Sequence, residues 1–143
     1  MAGYNIELQA KKIAIIGRGL LVGSPLARMW QRSGYNVTVF DKNNSIEMKK
    51  RLSEFDVVVS ATGVPDLVKP EMLKSNAVVV DAGTASENGI IKGDVAESVR
   101  QSRKDITITS KIGGVGPLTI ASLIDNVIIS ARKIANQKGQ QDL

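Results

Sequence analysis

The chain has 143 residues, 43% hydrophobic and 23% charged, with 19 Lys and Arg against 14 Asp and Glu for a formal charge of +5. That length suits one globular domain with its own core, and the absence of both Cys and His excludes thiolate and imidazole catalysis, disulfides and the metal sites those ligands build. No apolar run approaches the roughly 20 residues that span a bilayer, and the basic residues are dispersed among acids with too few aromatics for a base-stacking surface. The expectation is therefore a cytoplasmic protein with neither membrane nor nucleic acid as partner.

In chain order, residues 1–11 read as a lead-in or linker, the tail of a helix too short to stand alone. Residues 12–17 (Lys-Ile-Ala-Ile-Ile-Gly) are an apolar run of the kind buried on both faces of a parallel sheet, followed by a glycine turn and an amphipathic helix from Ser24 to Gly34. Residues 35–41 form a second strand ending in Asp41, and Ser45 is placed to cap a helix reaching Glu54. Residues 56–63 are the third strand with its exit turn, Pro70 opens a short helix to Lys74, and residues 77–83 are the fourth strand. Residues 84–93 read as a loop, Asp94 as the start of another helix, and residues 106–109 as a short fifth strand. A second glycine loop at 113–117 leads into a last helix with Ile120, Leu123, Ile124, Val127, Ile128, Ala131 and Ile134 at helical spacing. Residues 138–143 are read as a polar, frayed tail.

Strands alternating with helices through short loops specify an α/β fold, a doubly wound, mostly parallel sheet with helices on both faces (Rossmann-type), occupying residues 12–137. In such a sheet ligands bind beyond the carboxyl ends of the strands. The candidate residues collect there: Gly17, Arg18, Gly19, Val22 and Gly23 after the first strand, Asp41 and Lys42 after the second, Ala61, Thr62 and Gly63 after the third, and Gly83 and Thr84 after the fourth. Gly17, Gly19 and Gly23 are spaced G-x-G-x-x-x-G, and their backbone can approach a pyrophosphate seated on the helix amides. Asp41 is placed to accept from the adenosine ribose hydroxyls, which puts NAD first. Arg18 and Lys42 pull toward the 2′-phosphate of NADP as second choice.

A nicotinamide enzyme that oxidises an alcohol needs a base within reach. This chain offers no His and no Tyr-x-x-x-Lys pair after Tyr4 or Tyr35. Either a substrate half lies on another domain, or the substrate loses a hydride without an O–H proton.

Three strings carry a resemblance: Gly-Arg-Gly-Leu-Leu-Val-Gly-Ser-Pro at 17–25, Lys-Gly-Asp-Val at 92–95 and Gly-Gly-Val-Gly-Pro-Leu-Thr at 113–119, with Val-Asp-Ala-Gly at 80–83. Together they resemble the cofactor-binding domain of the methylenetetrahydrofolate dehydrogenase/methenyltetrahydrofolate cyclohydrolase family. The resemblance implies NAD(P)-dependent oxidation of a carbon between two nitrogens, followed by hydrolysis, in one-carbon metabolism. It implies that Gly17, Arg18 and Gly19 meet the cofactor phosphates or ribose and that Thr84 lies near the nicotinamide. Gly113, Gly114, Val115, Gly116, Pro117 and Thr119 would then form the loop between nicotinamide and folate. Gly19 stands where the family has Ser, Asp41 and Lys42 where it has His-Ser, Thr84 where Ile is usual, and Ser110-Lys111-Ile112 replaces Pro-x-Pro. The family's N-terminal domain, which carries the folate-site Tyr and Lys, is absent, so no catalytic residue is assigned to this chain and the folate is a partner only with that domain. The chain is expected to begin inside a longer protein. A stand-alone NAD(P)-binding regulatory or partner module is the alternative, a different Rossmann dehydrogenase a weaker one, and a homo-oligomer is left open by the apolar last helix.

Overall fold

The computed structural model describes residues 6–87 and 89–137, and the chain forms two compact units, Met1–Thr109 and Ser110–Leu143. In order, the first unit contains β1 (Lys12–Ile16), α1 (Gly23–Arg32), β2 (Asn36–Phe40), α2 (Ser45–Arg51), β3 (Val57–Ser60), β4 (Val78–Asp81), β5 (Ala85–Glu87), β6 (Ile90–Lys92), α3 (Glu97–Ser102) and β7 (Thr107–Ile108). Five of the strands pair in parallel in the order β2-β1-β3-β4-β7. Because β1 has β2 on one side and β3 on the other, the strand order reverses there, and the sheet has its crevice at the exit of β1.

The period of two along each strand sorts the core into two faces. Ala14, Ile16, Val58 and Val79 face one cluster, closed by Phe40, Met48 of α2, Leu52, Phe55 and Val99 of α3. Ile13, Ile15, Val57 and Val59 face the other, with Ala27 of α1 and Leu8. The register Ile13↔Val57 and Val57↔Val78 keeps each set on its side. All four residues of β3 are buried, as expected of a central parallel strand, and each fully buried Val contributes about 1.5–3 kcal/mol relative to exposure. The doubly wound sheet read from the sequence is the fold observed.

Several local expectations are corrected. Residues 6–11 contain no helix; Lys11 N donates to Leu8 O at 3.3 Å and Ala10 sits at φ +59°. Ser45 is the first helical residue and not the cap; Asp41 caps a 3-10 turn at Lys42–Asn44 that runs into α2. The helix stops at Arg51 and tightens to a 3-10 turn at Leu52–Glu54, and Pro70 opens a 3-10 turn of three residues, Pro70–Met72. Residues 84–93 contain an antiparallel hairpin, Ala85↔Lys92 to Glu87↔Ile90. Asp94 does not start a helix: it is buried, Val95 bridges Val68 in parallel, and α3 opens only at Glu97.

The second unit holds α4 (Val115–Gln137). Gly113 takes φ +74°, and a Cβ on Gly114 would run into the Ser110 carbonyl. Pro117 lies in the first turn of α4, where its missing N–H leaves no intrahelical bond unmade. Among the described residues no helix is long and apolar enough to cross a membrane. The tail at 138–143 lies outside the described residues.

Candidate functional site

The β1 exit is held in place by its glycines. Gly17 sits at φ +109°, and its N–H donates to Phe40 O at 2.8 Å. A Cβ there would lie 2.5 Å from Ala61 O and 3.2 Å from the Thr62 methyl. Only a residue without Cβ lets the β1 and β3 exits approach this closely. A Cβ on Gly23 would strike the Gly17 carbonyl, so the loop folds back tightly on the start of α1. Ser24 holds that fold, with its N–H on Gly19 O at 3.0 Å and its hydroxyl on Arg18 O at 2.8 Å. Gly19 differs: nothing stands within 4 Å of the position its Cβ would take, so its backbone is open to a ligand. The first turn of α1 has no side-chain cap at Val22 and no acid; its Ser24 and Leu26 N–H groups already donate to the Gly19 and Val22 carbonyls and Pro25 has none, so what the helix offers an anion is chiefly its positive dipole end.

At the β2 exit, Asp41 Oδ1 accepts the Asn43 N–H at 2.8 Å while the Asn44 side chain accepts the Asp41 N–H at 2.6 Å, a reciprocal cap. Its other oxygen lies 3.1 Å from Arg18 Nε. The loop after β1 is thus tied to the loop after β2 by one ion pair, of which the arginine side is 63% exposed. A pair so open to water is held weakly and can re-form around a ligand.

These loops surround a cavity of about 560 Å³. Of the residues expected from sequence, Gly17, Arg18, Gly19, Asp41, Lys42, Ala61 and Thr62 line it. Val22, Gly23 and Gly63 (φ +71°) are not among its walls, and a Cβ on Gly63 would stand 3.4 Å from Thr84 O. Gly83 and Thr84 are not among its walls. Thr119 and the loop at 113–117 belong to the second unit, where the Thr119 hydroxyl donates to Val115 O at 3.1 Å. Sequence reasoning missed Met48, Val64 and Leu67, which with Ile16 form an apolar wall beside Asn43 and Ser45. Such residues carry no local signal that separates a ligand slot from a core.

Beneath the β3 and β4 exits lies a second missed feature. Asp94 is completely buried, and one of its oxygens, Oδ2, accepts from Ser60 Oγ (2.7 Å), Thr62 N–H (2.7 Å) and Thr62 Oγ1 (2.9 Å). Asp81 beside it accepts the N–H groups of Gly83, Asp94 and Val95 at 3.0–3.2 Å and pairs with Arg100 at 3.4 Å. Gly83 and Gly93 are the residues that make room, since a Cβ on either would fall inside the carboxylate of Asp94 or Asp81 respectively. The Gly-Asp-Val string could have pointed here, but only with the sheet order in hand.

A parallel sheet with its order reversed at β1, a glycine turn leading to an uncapped helix and two cations at the rim define a dinucleotide-binding domain of the Rossmann type. Comparison narrows the class. The family described as "Tetrahydrofolate dehydrogenase/cyclohydrolase, NAD(P)-binding domain" matches residues 1–135, and this chain belongs to it. It is 39% identical over 132 residues to the bifunctional protein FolD of Aquifex aeolicus, covering 91% of this chain and 44% of that protein. Among solved structures it is similar to the FolD methylenetetrahydrofolate dehydrogenase/cyclohydrolase of Campylobacter jejuni (TM-score 0.82, 34% identity, 92% of this chain and 46% of the other). It is also similar to the Trypanosoma brucei enzyme complexed with NADP and an inhibitor (TM-score 0.79, 32% identity, 89% and 45%). The chain spans less than half the length of these relatives.

Proposed function

We propose that this chain is the part of a methylenetetrahydrofolate dehydrogenase/cyclohydrolase that holds the nicotinamide cofactor, with NADP ahead of NAD. The observation that carries the reading is the open backbone at Gly19 in front of the uncapped α1, with Arg18 and Lys42 on the rim of the same cavity. These residues fit a dinucleotide: the turn offers backbone N–H groups to a pyrophosphate, and the apolar wall of Met48, Val64 and Leu67 suits an adenine face. Bound there, the nicotinamide supplies a hydride acceptor. The chain's own residues bind and orient, and the folate-side groups come from the part of the relatives that this chain does not span.

Cofactor choice turns on Asp41. The expectation of NAD took its carboxylate as an acceptor for ribose hydroxyls with its charge uncompensated, whereas it accepts the Asn43 amide and is paired with Arg18, which offsets the charge that would repel a 2′-phosphate. With Arg18 and Lys42 against one acid, the rim carries a net positive charge that suits a 2′-phosphate. The NADP bound by the T. brucei relative supports the same choice. Calorimetric titration of the chain with each cofactor tests it. NADP should bind about tenfold more tightly, and Arg18→Gln should remove the difference, as expected for about 1.4 kcal/mol of charge-assisted bonding. Equal or tighter NAD binding defeats the cofactor choice, and binding of neither defeats the reading.

A further inference from the structure

The cavity wall that follows β3 is made by a stretch with no regular structure to hold its shape. Residues 61–67 contain neither helix nor strand, and within them Gly63 and Asp66 take φ +71° and +56°. Asp66 carries a Cβ, so its left-handed backbone is disfavoured unless the surrounding structure fixes it. Thr62, Val64 and Leu67 of this stretch line the cavity, and Val64 is half exposed. A wall that must be ordered when a ligand arrives binds it more weakly than one ordered beforehand.

Both ends of the stretch are gripped by one residue. At its start, the Thr62 N–H and hydroxyl donate to Asp94 Oδ2 at 2.7 and 2.9 Å, and Thr62 Oγ1 in turn accepts the Val64 N–H at 3.1 Å. At its far end, the Val68 N–H donates to Asp94 O at 3.0 Å, and Val68 O accepts the Ala96 N–H at 3.0 Å. Asp94 is itself fixed: it is fully buried, and its N–H and that of Val95 donate to Asp81 at 3.0 and 3.2 Å. Ser60, the third donor to Oδ2 at 2.7 Å, belongs to β3 and is not among the cavity walls. What these bonds require is an acceptor oxygen at a fixed point, and an amide oxygen can stand there as a carboxylate oxygen does.

We propose that Asp94 is a positioning residue for the adenine end of the cofactor: gripping Thr62 with its side chain and Val68 with its carbonyl, it holds Val64 and Leu67 where a base can lie against them. It does so from behind the wall, without touching the ligand. The proposal rests on the reading that this cavity takes the adenine of NADP. A role limited to stability would lower melting and leave affinity alone.

The test measures dissociation constants of NADP and of 2′,5′-ADP, the adenine end by itself, for the full 143-residue chain by calorimetry, with a thermal melt of each variant. Thr62→Val, which keeps the side-chain shape but removes the hydroxyl between Asp94 and the Val64 N–H, should weaken both ligands by about tenfold, as expected when a wall must be ordered on binding. Thr62→Ser, which returns the hydroxyl, should recover most of that loss. Ser60→Ala takes a donor from the same oxygen away from the cavity, so it should melt lower with both constants within twofold of wild type. Asp94→Ala should lose affinity as Thr62→Val does, and Asp94→Asn, whose amide oxygen can accept the same donors, should retain more of it. A folded Thr62→Val that binds both ligands within twofold of wild type overturns the proposal, and so does a Ser60→Ala that loses as much affinity as Thr62→Val. If Asp94→Ala does not fold, the Thr62 and Ser60 variants decide. If the unaltered chain binds NADP but 2′,5′-ADP does not compete for the site, the cofactor reading stands and the proposal falls. Binding of neither ligand removes the cavity reading, and the proposal with it.

Discussion

Two glycines of one turn, Gly17 and Gly19, should respond to substitution in opposite ways. Gly17→Ala places a methyl 2.5 Å from a backbone carbonyl, that of Ala61. A backbone atom in the centre of a parallel sheet cannot swing aside as a side chain end can, so the β1 and β3 exits must separate. The alanine must also hold φ +109°. Overpacking against rigid neighbours costs about 1–3 kcal/mol, and a left-handed backbone adds about 1–2 kcal/mol. The expected loss is about 3 kcal/mol. With an unfolding entropy of about 0.3 kcal/mol per kelvin for a chain of this length, that is a fall in Tm of about 10 °C. Gly19→Ser meets open space, so its Tm should stay within about 2 °C of wild type. Its effect should appear in cofactor affinity alone, because the side chain stands where the backbone is open. Thermal melts followed by circular dichroism, with calorimetric titration of the same samples, separate the two. A Gly17→Ala protein that melts with wild type would refute the claim that the glycine joins the two strand exits.

Three further outcomes follow from the packing and charge. Phe40 is fully buried and meets Phe55 edge to face at 5.6 Å; Phe40→Ala should cost about 3–5 kcal/mol in urea unfolding, whereas Phe40→Leu should cost less than half of that. The Asp56 carboxyl is held below its ordinary value of 3.8, first by the Lys74 ammonium bonded to it and then by the Lys12 N–H. Its contribution to stability is thus present above pH 3.8 and lost as pH falls through the lower folded value. Asp56→Asn should accordingly destabilise the protein at pH 7, with the gap in urea midpoint narrowing below that window; a gap of the same size at pH 2 would contradict the assignment. Arg103 donates to the carbonyls of Pro70, Leu73 and Lys74 and pairs with Asp105. Arg103→Lys should lose about 2 kcal/mol, because a single ammonium cannot span three carbonyls, and near-wild-type melting of that variant would show that the fork is dispensable.

The sequence made the central sheet legible because β1, β3 and β4 each carry three or four consecutive apolar residues, with Gly17, Gly63 and Asp81 at or shortly after their ends, a pattern that solvent-facing strands do not produce. The same punctuation exposed half of the cavity, since Gly17, Arg18, Gly19, Asp41, Ala61 and Thr62 all stand at strand exits. Its apolar wall was not legible: Met48 also belongs to the core against β2, and its periodicity is that of any buried helix residue. The hairpin at 85–92 escaped because strands of three residues containing Ser and Glu give no alternation to read. Asp94 was misassigned for a different reason. An Asp before a helical stretch is the ordinary sign of a cap, and nothing local distinguishes an acid that caps from one that is pulled inward by Ser60 and Thr62, more than thirty positions earlier in the chain.

The three acids at strand exits and beneath them differ in who donates to them, and that difference governs what each can do. Asp81 takes three backbone N–H groups and a mostly buried guanidinium, so replacing it must disturb two chain segments at once. Asp94 takes one backbone and two hydroxyl donors and no cation of its own among the described residues; it ties the turn at Thr62 to the end of β3 at Ser60. Asp41 takes one backbone donor and one largely exposed arginine. Of the three it is the one whose partner can be exchanged for a ligand at little cost in stability, because exposed pairs contribute about 0–1 kcal/mol. The Arg18–Asp41 pair can therefore change without unfolding the sheet, whereas Asp81 and Asp94 are acids the fold cannot easily surrender.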